Sequence, residues 1–211
     1  MDIDELISIV TLKKLEDNKF EGQNYKTVWG RIFGGQVLSQ SLHAAYQTVP
    51  ENRIAHSMHA YFILPGDLNE PVIYEVDNIR NGGSFTTRRV VAFQKGRAIF
   101  NMAASFQKDE EGFDHQIQMS NVLSPDLLLT DFEQAEKFKE ELAERYQIFL
   151  AAHPKVFDFK PVGTNIFLRK ENALPINHCW FRLKDEIDMP LQFHHQLLAC
   201  LLYTSDAADD A

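Results

Sequence analysis

Hydrophobic and polar positions change their spacing along the chain, and each change predicts a new kind of element. Residues 4–16 mix helical and extended spacing, which predicts a helix followed by an extended stretch through Phe20. Residues 36–49 are good helix formers that are small or apolar on most sides, which predicts a helix buried nearly all round. A glycine pair precedes this helix and a proline follows it, so both of its ends are marked.

Alternating positions replace the helical spacing after residue 53 and predict four strands. The expected strands are 56–64, 71–79, 84–94 and 98–107. Asn81-Gly82-Gly83 and Lys95-Gly96 are typical of hairpin turns between the later strands. One long buried helix followed by antiparallel strands predicts the α+β class. The economical packing is the hotdog fold, in which an antiparallel sheet wraps around a long central helix.

The second half of the chain begins in the same way as the first. The expected elements are a loop at 116–125, a charged amphipathic helix at 130–152, strands at 156–162 and 178–184, and an apolar helix at 191–202. Only nine residues follow Leu202, and they are small and acidic without strand alternation. Because Leu201–Asp210 resembles translated sequencing-adaptor read-through, we expect a non-native tail there.

The expected organisation therefore has four parts. They are an N-terminal hotdog domain at 1–115, a linker with the amphipathic helix at 116–154, the start of a second, truncated hotdog at 155–200, and the tail at 201–211.

Composition narrows the class of protein. In 211 residues, 45% hydrophobic and 24% charged positions are typical of a globular chain, and no run approaches the roughly 20 apolar residues of a membrane span. The formal net charge of −9 argues against a nucleic-acid surface. Cys179 and Cys200 offer neither a disulfide framework nor zinc-ligand spacing. We expect a cytoplasmic, reducing setting, although an organelle with reduced thiols stays open.

Five segments, in order and at their spacing, resemble the type II (TesB-like) acyl-CoA thioesterases, a double-hotdog family. They are RIFGGQVLSQSL from Arg31, HSMHAYFILPGD from His56, RNGGSFTTRRVVA from Arg80, IFNMAASFQ from Ile99 and GFDHQ from Gly112. The likeness extends from about Leu6 to about Ala199 and is thinner in the second half. It implies hydrolysis of fatty acyl-CoA to free fatty acid and CoA without a metal or a covalent cofactor. It also implies assembly into homo-oligomers through the hotdog sheets.

The resemblance implies a mechanism that this chain does not carry in full. A carboxylate on the second helix, a glutamine and a Thr or Ser position water, while backbone amides near a helix start stabilise the oxyanion. The carboxylate belongs at position 203, where this chain has Tyr203. Asp206 is a displaced look-alike, three residues late on the helix. No catalytic residue is securely retained, and we expect the polypeptide to be inactive.

Several residues are candidates for substrate binding, each with a structural alternative. The candidates are Gly34, Gly35, Gln36, Ser84 and Arg88. The first three could present helix N-terminal amides to a thioester oxygen, but they also let a buried helix begin close to the sheet, which we favour. Ser84 begins a Thr-rich strand of an ordinary kind.

Charged and titratable side chains on the strands also have two interpretations. The cluster of Arg88, Arg89, Lys95 and Arg97 suits a phosphate-bearing ligand, although solvated strand charges are commoner. His56 and His59 suit acid–base chemistry, but we favour packed, hydrogen-bonded histidines.

Two other functions compete with thioester hydrolysis. A hotdog hydratase or dehydratase would need an Asp/His pair on a helix and its following loop, which 33–49 does not provide. A non-catalytic hotdog module would bind acyl-CoA or self-associate, because an unfinished second sheet exposes strand edges and apolar helix faces. No Gly-x-Ser-x-Gly elbow or phosphate-binding glycine loop supports a different enzyme class.

Overall fold

The computed structural model describes residues 2–26, 30–141, 156–163 and 176–205. These residues form two compact units. The first unit contains residues 4–112 together with the segment from 188 onward, and the second contains 113–187. The helix that the sequence places in a second hotdog therefore packs within the first unit.

The first unit is a six-stranded antiparallel sheet with a helix at its centre. Its helices are α1 (Ile3–Val10), α2 (Gly34–Tyr46) and α4 (Leu191–Ser205). Its strands are β1 (Lys13–Glu16), β2 (Lys19–Gly22), β3 (Ile54–Phe62), β4 (Val72–Asn81), β5 (Phe85–Gln94) and β6 (Arg97–Gln107), in the spatial order β1-β2-β4-β5-β6-β3. The hotdog prediction for this part of the chain is confirmed.

Burial of α2 agrees with its composition. Every residue of the helix except His43 is buried. Val37, Leu42 and Ala45 join a core that the sheet supplies from Tyr74, Phe100 and other strand residues. Small side chains let the sheet approach α2 closely, so the helix is covered on most of its circumference.

Two turns explain how the sheet is connected. Lys95 and Gly96 both have positive φ, 49° and 72°, as the two central residues of a type I′ hairpin turn require. The predicted hairpin between β5 and β6 is therefore present.

Near the N-terminus, the prediction of a helix followed by an extended stretch is also confirmed, but the extended part is split into β1 and β2 at Asn18, whose φ is 62°. Asn adopts this conformation more readily than most residues, and here its Oδ1 accepts a hydrogen bond from Asn78 Nδ2 at 3.1 Å.

The second unit has short elements. They are a 3₁₀ turn at Pro125–Leu127, α3 (Asp131–Lys137), a 3₁₀ turn at Lys139–Glu141, β7 (Phe157–Pro161) and β8 (Cys179–Leu183). The predicted strands pair antiparallel. Thr130 and Glu133 form a capping box that starts α3. The predicted helix at 130–152 ends at Lys137, where Phe138 leaves helical geometry, and 142–152 lie outside the described residues.

The apolar helix of the second half runs further than predicted. We expected it to end at residue 202, and α4 continues to Ser205. The first five residues of the expected tail are thus helical. Asp206 and the rest of that tail lie outside the described residues.

Candidate functional site

The start of α2 presents uncovered backbone amides. Its N-cap, Phe33, makes no side-chain capping hydrogen bond. The amides of Gln36 and Val37 turn back to the Phe33 carbonyl oxygen at 3.1 and 3.4 Å. Helix geometry leaves the preceding amides, those of Gly34 and Gly35, without an acceptor inside the helix. Both glycines are buried at the positive end of the helix dipole, which suits an oxygen carrying negative charge.

The side chain of Gln36 holds the segment that precedes the helix. Its Oε1 accepts the Tyr25 amide at 2.9 Å. Its Nε2 donates to the Gln23 carbonyl oxygen at 3.2 Å and to Asn24 Oδ1 at 2.9 Å. Because both ends of the amide are engaged, any contribution of Gln36 to ligand binding in this conformation would come from its backbone.

Gln40, one turn later, is a buried polar residue that the sequence did not single out. Its Nε2 donates to the carbonyl oxygens of Ile9 and Gln23 at 2.6 and 2.9 Å, and its Oε1 accepts the Tyr74 hydroxyl at 2.6 Å. A Cβ atom on Gly22 would lie 2.6 Å from Gln40 Oε1, so a larger residue at this position would displace the Gln40 amide from its network. The network joins α1, β2 and β4 to the central helix, and it keeps the amide-bearing end rigid.

Helix α4 meets the start of α2 at backbone contact. A Cβ atom on Gly35 would collide with the carbonyl oxygen of Cys200 and the ring of Phe33, so glycine is required for this approach. Position 203 follows Cys200 by three residues, about 4.5 Å along the helix axis. The N-terminal amides of α2 and the position at which the resemblance implies a carboxylate are therefore at the same end of the helix pair. The residue there is Tyr203.

At the other end of the same pair, two side-chain contacts connect the helices. Nδ1 of His43 lies 3.2 Å from Gln196 Oε1, and the Tyr46 hydroxyl lies 2.8 Å from Nδ1 of His195. Desolvation by burial lowers the pKa of His43. Desolvation, and then the like charge of His194, lower the pKa of His195. Burial therefore favours the neutral form of both histidines.

The correspondence of the two helices, as distinct from these contacts, could have been anticipated from an internal repeat. Phe33-Gly-Gly-Gln36-Val-Leu38 in α2 recurs as Phe193-His-His-Gln196-Leu-Leu198 in α4. The two helices run antiparallel, because Gly35 contacts Cys200 while Tyr46 contacts His195. Matching glutamines one turn into each helix are the signal that identifies α2 and α4 as counterparts.

Arg88 is buried within the first unit, with 1% of its surface exposed. Its guanidinium donates to Thr48, to the carbonyl oxygens of Arg80 and Thr87, and to Asn81 Oδ1. These contacts account for the arginine structurally, and a role in substrate binding stays a prediction. The same holds for Ser84, whose hydroxyl lies 3.3 Å from Glu110 Oε1.

The proposed basic cluster is largely occupied by acidic partners. Arg89 pairs with Asp77 at 2.8 Å. Lys95 pairs with Asp67 at 3.0 Å and with Glu70 at 3.4 Å. These contacts favour the interpretation as surface strand and turn charges.

The strand histidines are on the exposed side of β3. His56 Nε2 bonds Ser105 Oγ at 2.9 Å and its ring contacts Phe85 edge-on. The ring of His59 lies against that of Tyr61, with 5.0 Å between centroids. The expected ring packing is present at both histidines and the expected hydrogen bond at His56, although both side chains are exposed.

Comparison with known proteins gives the family. A family model for the acyl-CoA thioesterase N-terminal domain matches residues 25–107. Acyl-CoA thioesterase 2 of Haemophilus influenzae is 34% identical over 204 residues, which cover 97% of this chain and 70% of that protein. This chain belongs to the acyl-CoA thioesterase family. Residues 25–107 contain α2 and four of the six strands, β3 to β6, so the family match covers most of the hotdog of the first unit.

Solved structures agree with this membership. The acyl-CoA thioesterase II of Mycobacterium marinum superposes with a TM-score of 0.72 at 32% identity, covering 94% of this thioesterase-family chain and 68% of that structure. A hotdog protein of Alicyclobacillus acidocaldarius, at 19% identity and a TM-score of 0.68 over 95% of this chain, shares the fold. Among the described residues, no helix is both long and apolar enough to cross a membrane.

Proposed function

We propose that this protein, in its catalytically complete form, hydrolyses fatty acyl-CoA thioesters to free fatty acid and CoA. Family membership supports the reaction class. The contact of Gly35 with Cys200 is the observation that supports the location of the candidate active site. That contact gathers the uncovered amides of α2 and the far end of α4 at one place. An acyl thioester needs little more than an oriented water and stabilisation of the developing oxyanion.

The roles follow from the local chemistry. The amides of Gly34 and Gly35 would donate to the thioester oxygen as it gains negative charge, aided by the helix dipole. A carboxylate at position 203 would orient water for attack on the carbonyl carbon. The network of Gln36 and Gln40 would keep the amides in place. Substrate binding by Ser84 or Arg88 belongs to the same proposal as a secondary expectation.

The chain with Tyr203 lacks the carboxylate, so we propose that it does not turn over. A phenol, whose ordinary pKa is about 10, keeps its proton near neutral pH and is a poor base for water. Asp206, three residues later, would face a different direction on a continuing helix.

A chimera tests the proposal. Residues after Ala199 are replaced by the segment of the Haemophilus influenzae relative that follows the aligned residue, and thiol release is measured with fatty acyl-CoAs of several chain lengths. We expect release from the chimera and none above background from the original chain. A matched chimera, in which the restored carboxylate is changed to its amide, should lose the activity. A chimera that folds and releases no thiol at any chain length would reject hydrolysis.

The same preparations separate the alternatives. Hydration of an enoyl-CoA is followed by loss of the conjugated enoyl absorbance without thiol release, and this result would indicate a hydratase. A non-hydrolysable acyl-CoA thioether tests the binding-module function: saturable binding by the original chain, unaccompanied by turnover in the chimera, would favour it.

The proposal also covers oligomerisation and cellular location. We expect homo-oligomers through β3, because it is a terminal strand of the described sheet and carries exposed Tyr61 and Phe62. Light scattering coupled to gel filtration tests this, and a monomer at micromolar concentration would contradict it. A cytoplasmic setting is consistent with Cys179 and Cys200 being free thiols.

A further inference from the structure

The Tyr46 hydroxyl joins three elements at one buried point. Tyr46 belongs to α2 and is 8% exposed. Its oxygen accepts the amide of Ala55 on β3 at 2.9 Å and lies 2.8 Å from Nδ1 of His195 on α4. Its ring packs edge-on against Phe106 of β6, with 5.0 Å between centroids. The hydroxyl is therefore a polar contact that links α4 to both the helix and the sheet of the first unit.

The proton arrangement at this point follows from the two contacts. The phenol has one proton, and the Ala55 amide already donates to its oxygen. The phenol can donate this proton to Nδ1 of His195, which lies 2.8 Å away, when that nitrogen is unprotonated. We assign His195 on this basis to the neutral tautomer with its proton on Nε2. Burial raises the pKa of Tyr46, so the phenol keeps its proton.

We propose that this Tyr46–His195 contact is an acid-sensitive latch that holds α4 on the first hotdog. Protonation of His195 places a second donor, Nδ1–H, against a hydroxyl that already receives one. The phenol proton then has no acceptor in the contact, and a buried donor without an acceptor is unfavourable. Acid therefore weakens the docking of α4 and, with it, the approach of Cys200 to Gly35.

Of the other titratable groups around the latch, His43 shares part of this property. It lies one turn away on α2 and uses Nδ1 to donate to Gln196 Oε1, and that bond survives protonation at Nε2. Burial nevertheless lowers the pKa of His43, so acid also weakens docking through this residue. His194 is on the same helix as His195 and adds like charge.

The turn between α2 and β3 carries Glu51, whose carbonyl oxygen accepts from Gln192. The same turn carries Arg53, which donates to the carbonyl oxygens of Gly82, Gly83 and Ser84. On β3, His56 bonds Ser105, and the exposed Asp188 precedes α4.

The direction of the pH effect is fixed by linkage. In undocked α4, His195 titrates near its ordinary value of about 6.5, and in the docked helix its pKa is lower. The undocked form then binds more protons as the pH falls below about 6.5. The docking equilibrium constant falls by up to about tenfold per pH unit until the docked pKa is reached, and docking is fully present above about 6.5.

The thiol of Cys200 is a natural probe for measuring how often α4 separates from α2. It is 8% exposed, and burial raises its pKa to about 12, whereas Cys179 is exposed. In a Cys179→Ser background, the labelling rate of Cys200 by a pyridyl disulfide reports opening of α4. Dividing each rate by that of the same variant in denaturant at the same pH cancels the change in thiolate fraction.

Three chains are compared between about pH 7.5 and about pH 5.5. We expect the protection of Cys200 to fall in the parent chain and in His43→Asn, with up to about tenfold of the fall coming from His195. In His195→Asn, the amide oxygen can replace Nδ1 as acceptor but does not titrate, and protection should fall by clearly less than in the parent chain. An equal fall in His195→Asn and the parent would overturn the latch.

A second measurement applies if His195→Asn fails to dock at any pH. The nitrogen chemical shifts of the His195 ring in the parent chain report its tautomer directly. A proton on Nε2 at about pH 7.5, and on both nitrogens only in the opened form, supports the latch. A proton on Nδ1 in the docked form rejects it.

Discussion

The guanidinium of Arg88 on β5 binds the end of the central helix through Thr48. Its Nε lies 2.8 Å from Thr48 Oγ1, and its Nη2 lies 2.7 Å from the Thr48 carbonyl oxygen. A cation suits this position because the carbonyl groups at a helix C-terminus carry partial negative charge. The contact fixes where α2 ends against the sheet.

Replacing Arg88 by Met should destabilise the fold strongly. The substitution removes the donors to Thr48, Asn81 and two backbone carbonyl groups, and each buried acceptor left unpaired costs about 1–3 kcal/mol. We expect the free energy of unfolding in urea to fall by at least about 3 kcal/mol. Arg89→Met, on the exposed side of the same strand, is the control and should change it by no more than about 1 kcal/mol. Similar losses in the two variants would contradict the role of Arg88.

Gly35→Ala should separate α4 from α2. Alanine normally stabilises a helix relative to glycine by about 1 kcal/mol, but here the added Cβ collides with the Cys200 carbonyl oxygen. We therefore expect a net loss of unfolding free energy and faster labelling of Cys200 in the Cys179→Ser background. Gly83→Ala is the control, because a Cβ there meets nothing within 4 Å. A gain in stability with unchanged labelling would show that the helices are not in backbone contact.

Ser39→Ala should stabilise the protein. Ser39 is fully buried in the middle of α2, and its hydroxyl has no hydrogen-bond partner among the described residues. Removing an unpaired buried hydroxyl and improving helix propensity together should add about 1 kcal/mol to the free energy of unfolding. Ser105→Ala is the contrast, because its hydroxyl bonds His56 and should not give this gain. A loss at Ser39 would mean that the hydroxyl is hydrogen-bonded in solution.

Asp131 should make the second unit less stable as the pH rises through its titration range. Burial raises its pKa from 3.8 to about 6, with a smaller contribution from Asp158. Between these values the folded form binds more protons than the unfolded form, so the free energy of unfolding falls as the pH increases. Asp131→Asn keeps an oxygen for the Phe132 amide and removes the charge. Allowing for partial exposure, we expect this variant to be more stable by about 1–2 kcal/mol near neutral pH.

Two measurements check that expectation. Urea unfolding should show a declining stability from about pH 4 to about pH 6 in the parent chain and a flatter profile in Asp131→Asn. Carboxyl NMR should give a midpoint for Asp131 near 6, and a lower one in Asp158→Asn because the like charge is removed. Parallel pH profiles for the parent and Asp131→Asn would contradict the assignment.

Local patterns predicted most elements because each is stabilised by its immediate neighbours. The small and apolar residues of α2 indicated a helix surrounded by other elements, and its burial confirms this. Lys95-Gly96 indicated a hairpin turn, and both residues have the positive φ that the turn needs. The helix predicted at 130–152 is described only through α3 and the 3₁₀ turn at Lys139–Glu141, and its part at 142–152 stays a prediction.

The family motif around α2 also placed the candidate amides correctly at a helix start. Which side chains surround them did not follow from the motif. Gln36 and Gln40 bind backbone carbonyl groups of a segment more than ten residues earlier in the chain. Such a network depends on the shape of the closed fold, so no local spacing predicts it.

The amino-acid sequence by itself therefore determined the type of each secondary-structure element, the family and the residue at position 203. These properties depend on composition, periodicity and motif. Tertiary structure decided which distant groups meet: Tyr46 with His195, 149 positions away, and Gly35 with Cys200. The physical reason is that burial and hydrogen bonding act between surfaces that only folding brings together. The neutral tautomer of His195 and the need for glycine at position 35 arise from those surfaces.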